Sequence, residues 1–215
     1  MDRFCQQPSA WRVSAMTKSG ASVLALSALL LTLASSGSVA EVDLSTIVVP
    51  DGYEASGEDT PFVRSGDGAS ALAAAIPNHQ YSASFMDDWF FDGAVAVMDV
   101  SSMPLPEGIT TEREAHQSLA GALKARWGEH SFSLFDPEAG VGRFVNYSGA
   151  FVALSWRKVG GELVVVESMD LVEVLVAESA ELPDTSDPEI LWQHFKNAAN
   201  AEDVDRVLSS LKPEP

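Results

Sequence analysis

The sequence predicts an α+β fold, in which an antiparallel sheet of about five to seven strands carries one or two helices on a face and is followed by a C-terminal helical hairpin. Three observations predict this class. One segment in the middle of the chain carries complete helix-start and helix-stop signals. The segments after it alternate apolar and polar residues with a period of two, and glycine-containing turns separate them.

The N-terminal segment is expected to be a signal peptide. Residues 21–34, "ASVLALSALLLTLA", are uncharged and apolar over the length of a secretory h-region, shorter than the about 20 residues of a membrane span. Ser38 and Ala40 occupy the small-residue positions of a cleavage site, which would leave Glu41 as the new N-terminus. Met16 opens a conventional n-region and is the expected start. An uncleaved N-terminal anchor is the alternative.

The chain is therefore expected to have three parts: a signal peptide over residues 1–40, an α+β domain over 41–182, and a linker with two short helices over 183–215. Cleavage would place the mature protein in the periplasm or outside the cell, without stable membrane insertion. The only cysteine, Cys5, lies in the part that would be removed. The mature chain would then carry no disulfide and no thiolate metal ligand.

The charge of the chain excludes one class of partner. The net charge is −18, and removal of residues 1–40, with three basic residues and one acidic residue, makes it −20. Nucleic acids and anionic lipids bind through Lys and Arg that replace counterions, so no nucleic-acid partner is expected. The charge either keeps an exported protein soluble or attracts a cationic protein partner.

The first half of the mature chain predicts short elements between loops. Residues 44–50, "LSTIVVP", favour a strand that Pro50 closes, and residues 51–69 favour a long surface loop. Residues 70–76, "SALAAAI", favour a short helix. A hairpin is predicted from residues 79–87 and 94–102, with "DWFFDG" as its connection.

The clearest helix is predicted over residues 111–127. Thr111 and Glu114 form a capping box, and Gly128 suits the C-terminal end. Strand candidates follow as "SFSLF", "RFVNY", "AFVALSWR", "ELVVVE" and "LVEVLVA", with "KVGGE" as a hairpin turn. The alternation in "FVALSWR" predicts a strand with one solvent-exposed face. This order of elements resembles, in architecture and without a shared motif, the small secreted α/β sandwiches of photosystem accessory and envelope lipoprotein families.

The C-terminal segment predicts two amphipathic helices after the linker "PDTSDP". Asp187 is expected to cap the first helix, with Pro188 as its first residue, and Asn200 to cap the second. Helices of about 10 residues do not form alone in water, so their apolar faces must be buried. We expect them to dock on the sheet, and a groove on a partner protein is the alternative.

The motifs for catalysis are incomplete. Ser70 begins like a nucleophile elbow, but Leu72 replaces the final glycine, so Ser70 is expected to be a helix cap. The histidines do not show the spacing of a local metal site. We therefore assign no catalytic residue and no cofactor. The histidines in question are His79, His116, His130 and His194.

The candidate binding surface is the aromatic and acidic segment over residues 87–92. Within it, Asp88 and Asp92 before Gly93 form only part of a calcium-binding pattern, so calcium is the weaker alternative. The aromatic residues of this segment divide between core and surface in a plain hairpin, or they form a contact patch for a protein or a glycan. The segment consists of Asp87, Asp88, Trp89, Phe90, Phe91 and Asp92.

Two function classes follow from these observations. The first is an exported, acidic, non-catalytic binding or accessory protein of a bacterial-type cell envelope. The second is a small secreted hydrolase or metal-dependent enzyme that uses carboxylates, namely the three aspartates of that segment with Glu54 or Asp59. Because every catalytic motif is incomplete, the sequence favours the binding protein.

Overall fold

The computed structural model describes residues 42, 46–55, 62–65, 94–128, 130–147 and 151–211. Three sequence predictions lie outside these residues. They are the signal peptide over 1–40, the short helix over 70–76 and the first hairpin strand over 79–87.

The described residues form one antiparallel sheet and four helices, which confirms the predicted α+β fold. The seven strands lie in the order β1-β2-β3-β7-β6-β5-β4, and the first two are short. The strands are β1 (Glu54–Ala55), β2 (Phe62–Ser65), β3 (Ala94–Pro104), β4 (Ser131–Asp136), β5 (Val141–Asn146), β6 (Val152–Val159) and β7 (Glu162–Asp170). The helices are α1 (Glu112–Trp127), α2 (Leu171–Ser179), α3 (Pro188–Phe195) and α4 (Ala201–Ser210).

The long helix α1 begins and ends as predicted. The Thr111 hydroxyl accepts the Glu114 N–H at 3.2 Å, and the Glu114 carboxylate accepts the Thr111 N–H at 3.0 Å. Gly128 follows the last turn with a φ of 74°, a left-handed conformation that glycine adopts without the steric cost of a Cβ. The predicted "KVGGE" turn is also confirmed, since Gly160 has a φ of 59° between β6 and β7.

The prediction of a strand over "LVEVLVA" is wrong, because this segment is helix α2. Asp170, the last residue of β7, accepts the Glu173 N–H at 3.0 Å and so caps the helix directly after the strand. Leu171, Val174 and Ala177 are buried at a helical spacing of three residues. The run of valines suggested a strand, but this cap and this burial favour the helix.

Other local predictions need correction. Residues 46–50 contain no strand, and the predicted loop over 51–69 contains β1 and β2. Strand β6 has no exposed face, because Ala153 and Ser155 are buried as fully as Leu154 and Trp156 on the other side. The solvent-exposed face was expected because the polar residues of this strand were assumed to meet water. Instead, Ser155 accepts from Arg143 of β5, and Arg157 donates to the Leu208 carbonyl of α4.

Helices cover both faces of the sheet. Helix α1 packs on β4, β5 and β6, where Phe144, Leu154 and Trp156 point toward it; we call this side the α1 face. Helices α3 and α4 pack on the opposite side, which we call the α3/α4 face, over Val145 and Val164. The C-terminal helices therefore dock on the sheet of their own domain, as expected.

Of the two N-terminal caps predicted for α3 and α4, the first is confirmed and the second is wrong. The Asp187 carboxylate accepts the Glu189 N–H at 2.9 Å, and Pro188 begins the helix. Asn200 precedes α4 but makes no side-chain cap hydrogen bond, because its backbone is left-handed with a φ of 48°. This conformation lets Ala201 N–H reach the Lys196 carbonyl, so Asn200 serves the turn that ends α3.

Candidate binding groove

The candidate surface Asp87, Asp88, Trp89, Phe90, Phe91 and Asp92 lies outside the described residues, as do Asp59, Ser70 and His79. Glu54 is exposed on β1. Across the described ranges, no group of three or more His, Cys, Asp or Glu side chains could hold a metal ion.

The described part of the chain contains an open groove with a volume of about 670 Å³ on the α3/α4 face. It lies where the edge strand β4 and its turn into β5 meet α3 and α4. Its lining combines apolar side chains, carboxylates and one guanidinium. The lining residues are Leu134, Phe135, Asp136, Pro137, Glu138, Arg143, Glu189, Ile190, Trp192, Gln193 and Asp205.

Arg143 forms the floor of the groove. It lies in the middle of β5 and is only 6% exposed. Its Nη2 donates to Asp205 Oδ1 at 2.7 Å, its Nη1 donates to Ser155 Oγ at 3.3 Å, and its guanidinium stacks 4.8 Å from the Trp192 ring centroid. A buried guanidinium is tolerated only when it is paired and hydrogen-bonded. These three neighbours supply that environment and hold the side chain in place.

Carboxylates surround this floor. Asp136 Oδ1 accepts the N–H groups of Glu138 at 2.9 Å and Ala139 at 3.1 Å, which shapes the β4–β5 turn. Glu138 and Glu189 are exposed, and Asp205 is about half-exposed on α4. Arg113 stacks on the Phe135 ring at 5.0 Å and adds a cation beside the groove. Carboxylates still outnumber cations there.

The groove also presents apolar surface to solvent. Ile190 is 48% exposed although its neighbours Leu191 and Trp192 are buried. Leu134 and Phe135 are partly buried at the end of β4, and Pro137 is exposed in the turn. The groove therefore offers apolar atoms as well as charges to a molecule that enters it.

Sequence reasoning missed the central residue of this groove. Arg143 is the first residue of "RFVNY", which was predicted as a strand without a role for its charge. The available signal was a charged residue at the same period-two position as Val141 and Val145, both of which are buried. A charge inside an apolar alternation indicates a buried partner, but Asp205 is 62 residues away in sequence.

A second polar feature lies on the α1 face. Asp99 in β3 and Glu167 in β7 are directly opposite each other in the sheet register. Burial and the charge of Asp99 raise the pKa of Glu167 to about 7, and burial raises the pKa of Asp99 above its usual value. The pair therefore favours a protonated carboxyl group near neutral pH.

The histidines do not form a common site. His116 belongs to α1 and stacks on Trp156 with ring centroids 5.4 Å apart, whereas His194 on α3 approaches the Ala177 carbonyl at 3.3 Å. His130 is exposed beside Tyr147. Burial is the main cause that lowers the pKa of His116, and the charge of Arg113 lowers it further.

Comparisons with known proteins assign no family. No family model matches the chain, and no curated protein matches it. Among solved structures, the solution structure of cyanobacterial PsbP (CyanoP) from Synechocystis sp. PCC 6803 is similar at 11% identity and a TM-score of 0.31. The match covers 85% of this chain and 99% of that one. A similarity of this degree assigns neither a family nor a function.

None of the helices among the described residues is long and apolar enough to span a membrane.

Proposed function

We propose that this protein is an exported, acidic, non-catalytic binding or accessory protein of a bacterial-type cell envelope that presents a surface to a protein partner. The observation that carries this proposal is the groove on the α3/α4 face. It combines the exposed Ile190 with carboxylates, while the Arg143 guanidinium is engaged within the protein. A partner that covers Ile190 removes apolar surface from water, which is the general driving force of protein association.

The proposal includes export and cleavage after Ala40, so that the mature protein acts in the periplasm or outside the cell. Val42, two residues beyond the expected cleavage site, supports this boundary. It is buried, and its N–H donates to Glu162 Oε2 at 3.0 Å. The folded domain thus engages the chain directly after that site. The segment from Asp87 to Asp92 is proposed as a further contact surface.

Site-specific photocrosslinking in the native host tests the partner. A photoreactive amino acid at Ile190 is expected to give a discrete adduct with one protein. The matched control is Val176, another exposed aliphatic side chain, which lies on α2 away from the groove. No adduct at position 190, or the same set of adducts from both positions, would contradict binding through the groove.

Intact mass of the exported protein tests the compartment. A mature species that begins at Glu41 is expected in the soluble exported fraction. A species that keeps residues 16–40 and sediments with membranes would contradict cleavage and favour the N-terminal anchor.

The alternative function is a small secreted hydrolase or metal-dependent enzyme that uses Asp and Glu carboxylates. One observation favours it, namely the pKa of about 7 of Glu167 beside Asp99, because a general acid needs a pKa near the working pH. A screen with ester, phosphate and glycoside substrates tests this function. Activity that is lost in Glu167→Gln, while that variant keeps its fold, would support the enzyme over the binding protein.

A further inference from the structure

We propose that the groove binds a short cationic segment of the partner protein, in which an apolar side chain covers Ile190 and flanking Lys or Arg side chains pair with the surrounding carboxylates. This inference rests on the proposed binding function and specifies the chemistry of the partner.

The charges of the lining support a cationic segment. Four carboxylates line the groove against one guanidinium, and that guanidinium is neutralised by Asp205. Asp136, Glu138 and Glu189 remain as negative charges beside the apolar side chains of the groove. Because a concave surface with low-dielectric walls focuses its field, carboxylates of one sign attract a cation there more strongly than on a flat surface.

The same charges disfavour other occupants. A second copy of this chain would bring a net charge of −18 to an acidic groove, and an anionic lipid headgroup would also be repelled. A partner with Lys or Arg side chains beside an apolar side chain complements both features of the groove. Charge complementarity therefore selects a cationic protein segment among these occupants.

The size of the groove limits how much of the partner enters it. A volume of about 670 Å³ is in the range of pockets for small ligands, about 300–1,000 Å³. It accommodates a few side chains, whereas a stable protein interface buries roughly 800 Å² on each partner. We therefore expect a short segment to dock, with an affinity that falls as salt screens the charges.

The geometry of Asp205 allows a direct role in recognition. Its Oδ1 pairs with Arg143, yet the side chain is 46% exposed, so the carboxylate also faces solvent. A carboxylate offers about four lone-pair positions and can accept from two cationic donors at once. Asp205 is thus placed to bind a cation of the partner while it keeps Arg143 paired.

The test measures the binding of a synthetic peptide of alternating Lys and Leu to the purified exported protein by calorimetry. A second peptide has Glu in place of every Lys. The groove variant is Glu138→Lys with Glu189→Lys. The control variant, Glu107→Lys with Glu181→Lys, makes the same change of net charge at exposed positions outside the groove.

The groove variant is expected to bind the Lys peptide about tenfold more weakly, because two attractive charge pairs become repulsive ones. The control variant is expected to change binding by less than about threefold, and the Glu peptide is expected not to bind. Equal weakening in both variants would show a diffuse effect of net charge and overturn the inference. Equal binding of the two peptides would also overturn it.

The crosslinking experiment separates this inference from the proposed function. If position 190 yields a partner whose adducted segment lacks Lys and Arg, the groove is a binding site but its cationic specificity is wrong. An adduct of twice the mass of this chain would identify a second copy and overturn the inference. If position 190 yields no adduct, the proposed function itself fails.

Discussion

Around β5, the two faces of the sheet bury polar groups in different ways, and adjacent residues of this strand show the difference. On the α3/α4 face, Arg143 is buried with a carboxylate, a hydroxyl and an aromatic ring around its guanidinium. On the α1 face, Gly142 lies against Trp156 and His116. The ring nitrogens Trp156 Nε1 and His116 Nδ1 are buried there, and they have no hydrogen-bond partner among the residues that the structure describes.

This contrast shows how differently the two faces stabilise the groups that they bury. The α1 face is held by aromatic packing, in which His116 contacts the rings of Trp156 and Phe135 at centroid distances of 5.4 and 5.3 Å. On the α3/α4 face, the buried Arg143 guanidinium is paired with the half-exposed Asp205 at the edge of the groove. Because a buried charge must be paired and hydrogen-bonded, this face holds Arg143 through specific polar partners, whereas the α1 face beside Gly142 is held by ring packing.

The largest expected effect comes from removing the cover of the α3/α4 face. Deletion of residues 184–215 exposes the sheet side that α3 and α4 bury. At about 1.5–3 kcal/mol per buried side chain, the loss is roughly 10 kcal/mol or more, comparable with the whole stability of a domain. The affected buried side chains are Leu191, Trp192, Phe195, Ala198, Ala199, Val204, Val207, Leu208 and Leu211.

Circular dichroism during thermal unfolding measures this deletion. The truncated chain is expected to show no cooperative transition. A truncated chain that melts like the intact protein would show that the α3/α4 face is not needed for folding and would break the comparison.

The next effect tests the dry packing of the α1 face. In Gly142→Ala, the added Cβ would overlap the Trp156 indole nitrogen and lie 2.7 Å from His116 Nδ1. We expect a loss of about 3 kcal/mol in the free energy of unfolding, because the fully buried Trp156 ring must shift within a packed core. Denaturant titration measures it.

The matched control for this substitution is Gly121→Ala. Gly121 is exposed in the interior of α1, and a Cβ there meets no atom within 4 Å. Alanine favours helix over glycine, so this variant is expected to gain about 0.5–1 kcal/mol. An equal loss in both variants would contradict the steric explanation.

A smaller effect tests the ion pair of the other face. In Asp205→Ala, the Arg143 guanidinium loses its charged partner, and we expect the free energy of unfolding to fall by about 2 kcal/mol. This loss is smaller than for a fully buried pair, because the groove is open to water. The double variant Arg143→Met with Asp205→Ala replaces the pair by apolar contact with Trp192 and is expected to recover most of the loss. Denaturant titration of the two variants checks this. If the double variant is as unstable as Asp205→Ala, the instability of Asp205→Ala does not come from the unpaired charge of Arg143.

The last effect is similar in size to that of the ion pair, depends on pH and tests the carboxyl pair on the α1 face. The pKa of Glu167 is raised from 4.5 to about 7 in the folded protein, so its stabilising contribution is complete below about pH 4.5 and is lost as pH rises through 7. Glu167→Gln keeps the neutral form at every pH. Relative to the unchanged protein, it is expected to gain about 2 kcal/mol between pH 5 and pH 8, since one pKa unit corresponds to about 1.4 kcal/mol.

Melting temperatures measured from pH 5 to pH 8 check this sign. The charge of Asp99 contributes to the raised pKa of Glu167. In Asp99→Asn this pKa is expected to be lower, so the loss of stability through ionisation of Glu167 is expected at lower pH. If the pH dependence of Glu167→Gln equals that of the unchanged protein, the pair is not the titrating group.

By itself, the sequence determined the elements whose signals are local. The capping box of Thr111 and Glu114 and the Asp187 cap are hydrogen bonds within a few residues, so they could be predicted and are confirmed. The period-two pattern located the long strands, but it did not predict that β6 is buried on both faces. The signal peptide and the aromatic and acidic segment from Asp87 to Asp92 also rest on local patterns, and they remain predictions.

Only the tertiary structure decided the features that join distant parts of the chain. Helix α2 has a strand-like composition, yet the cap at Asp170 and its packing between β3, β7 and α3 favour the helix. The groove depends on Arg143, Trp192 and Asp205, which are separated by up to 62 residues. The physical reason is that a local pattern reports the hydrogen bonds and exposure of one segment. The pairing of a buried charge depends on which segments the folded chain brings together.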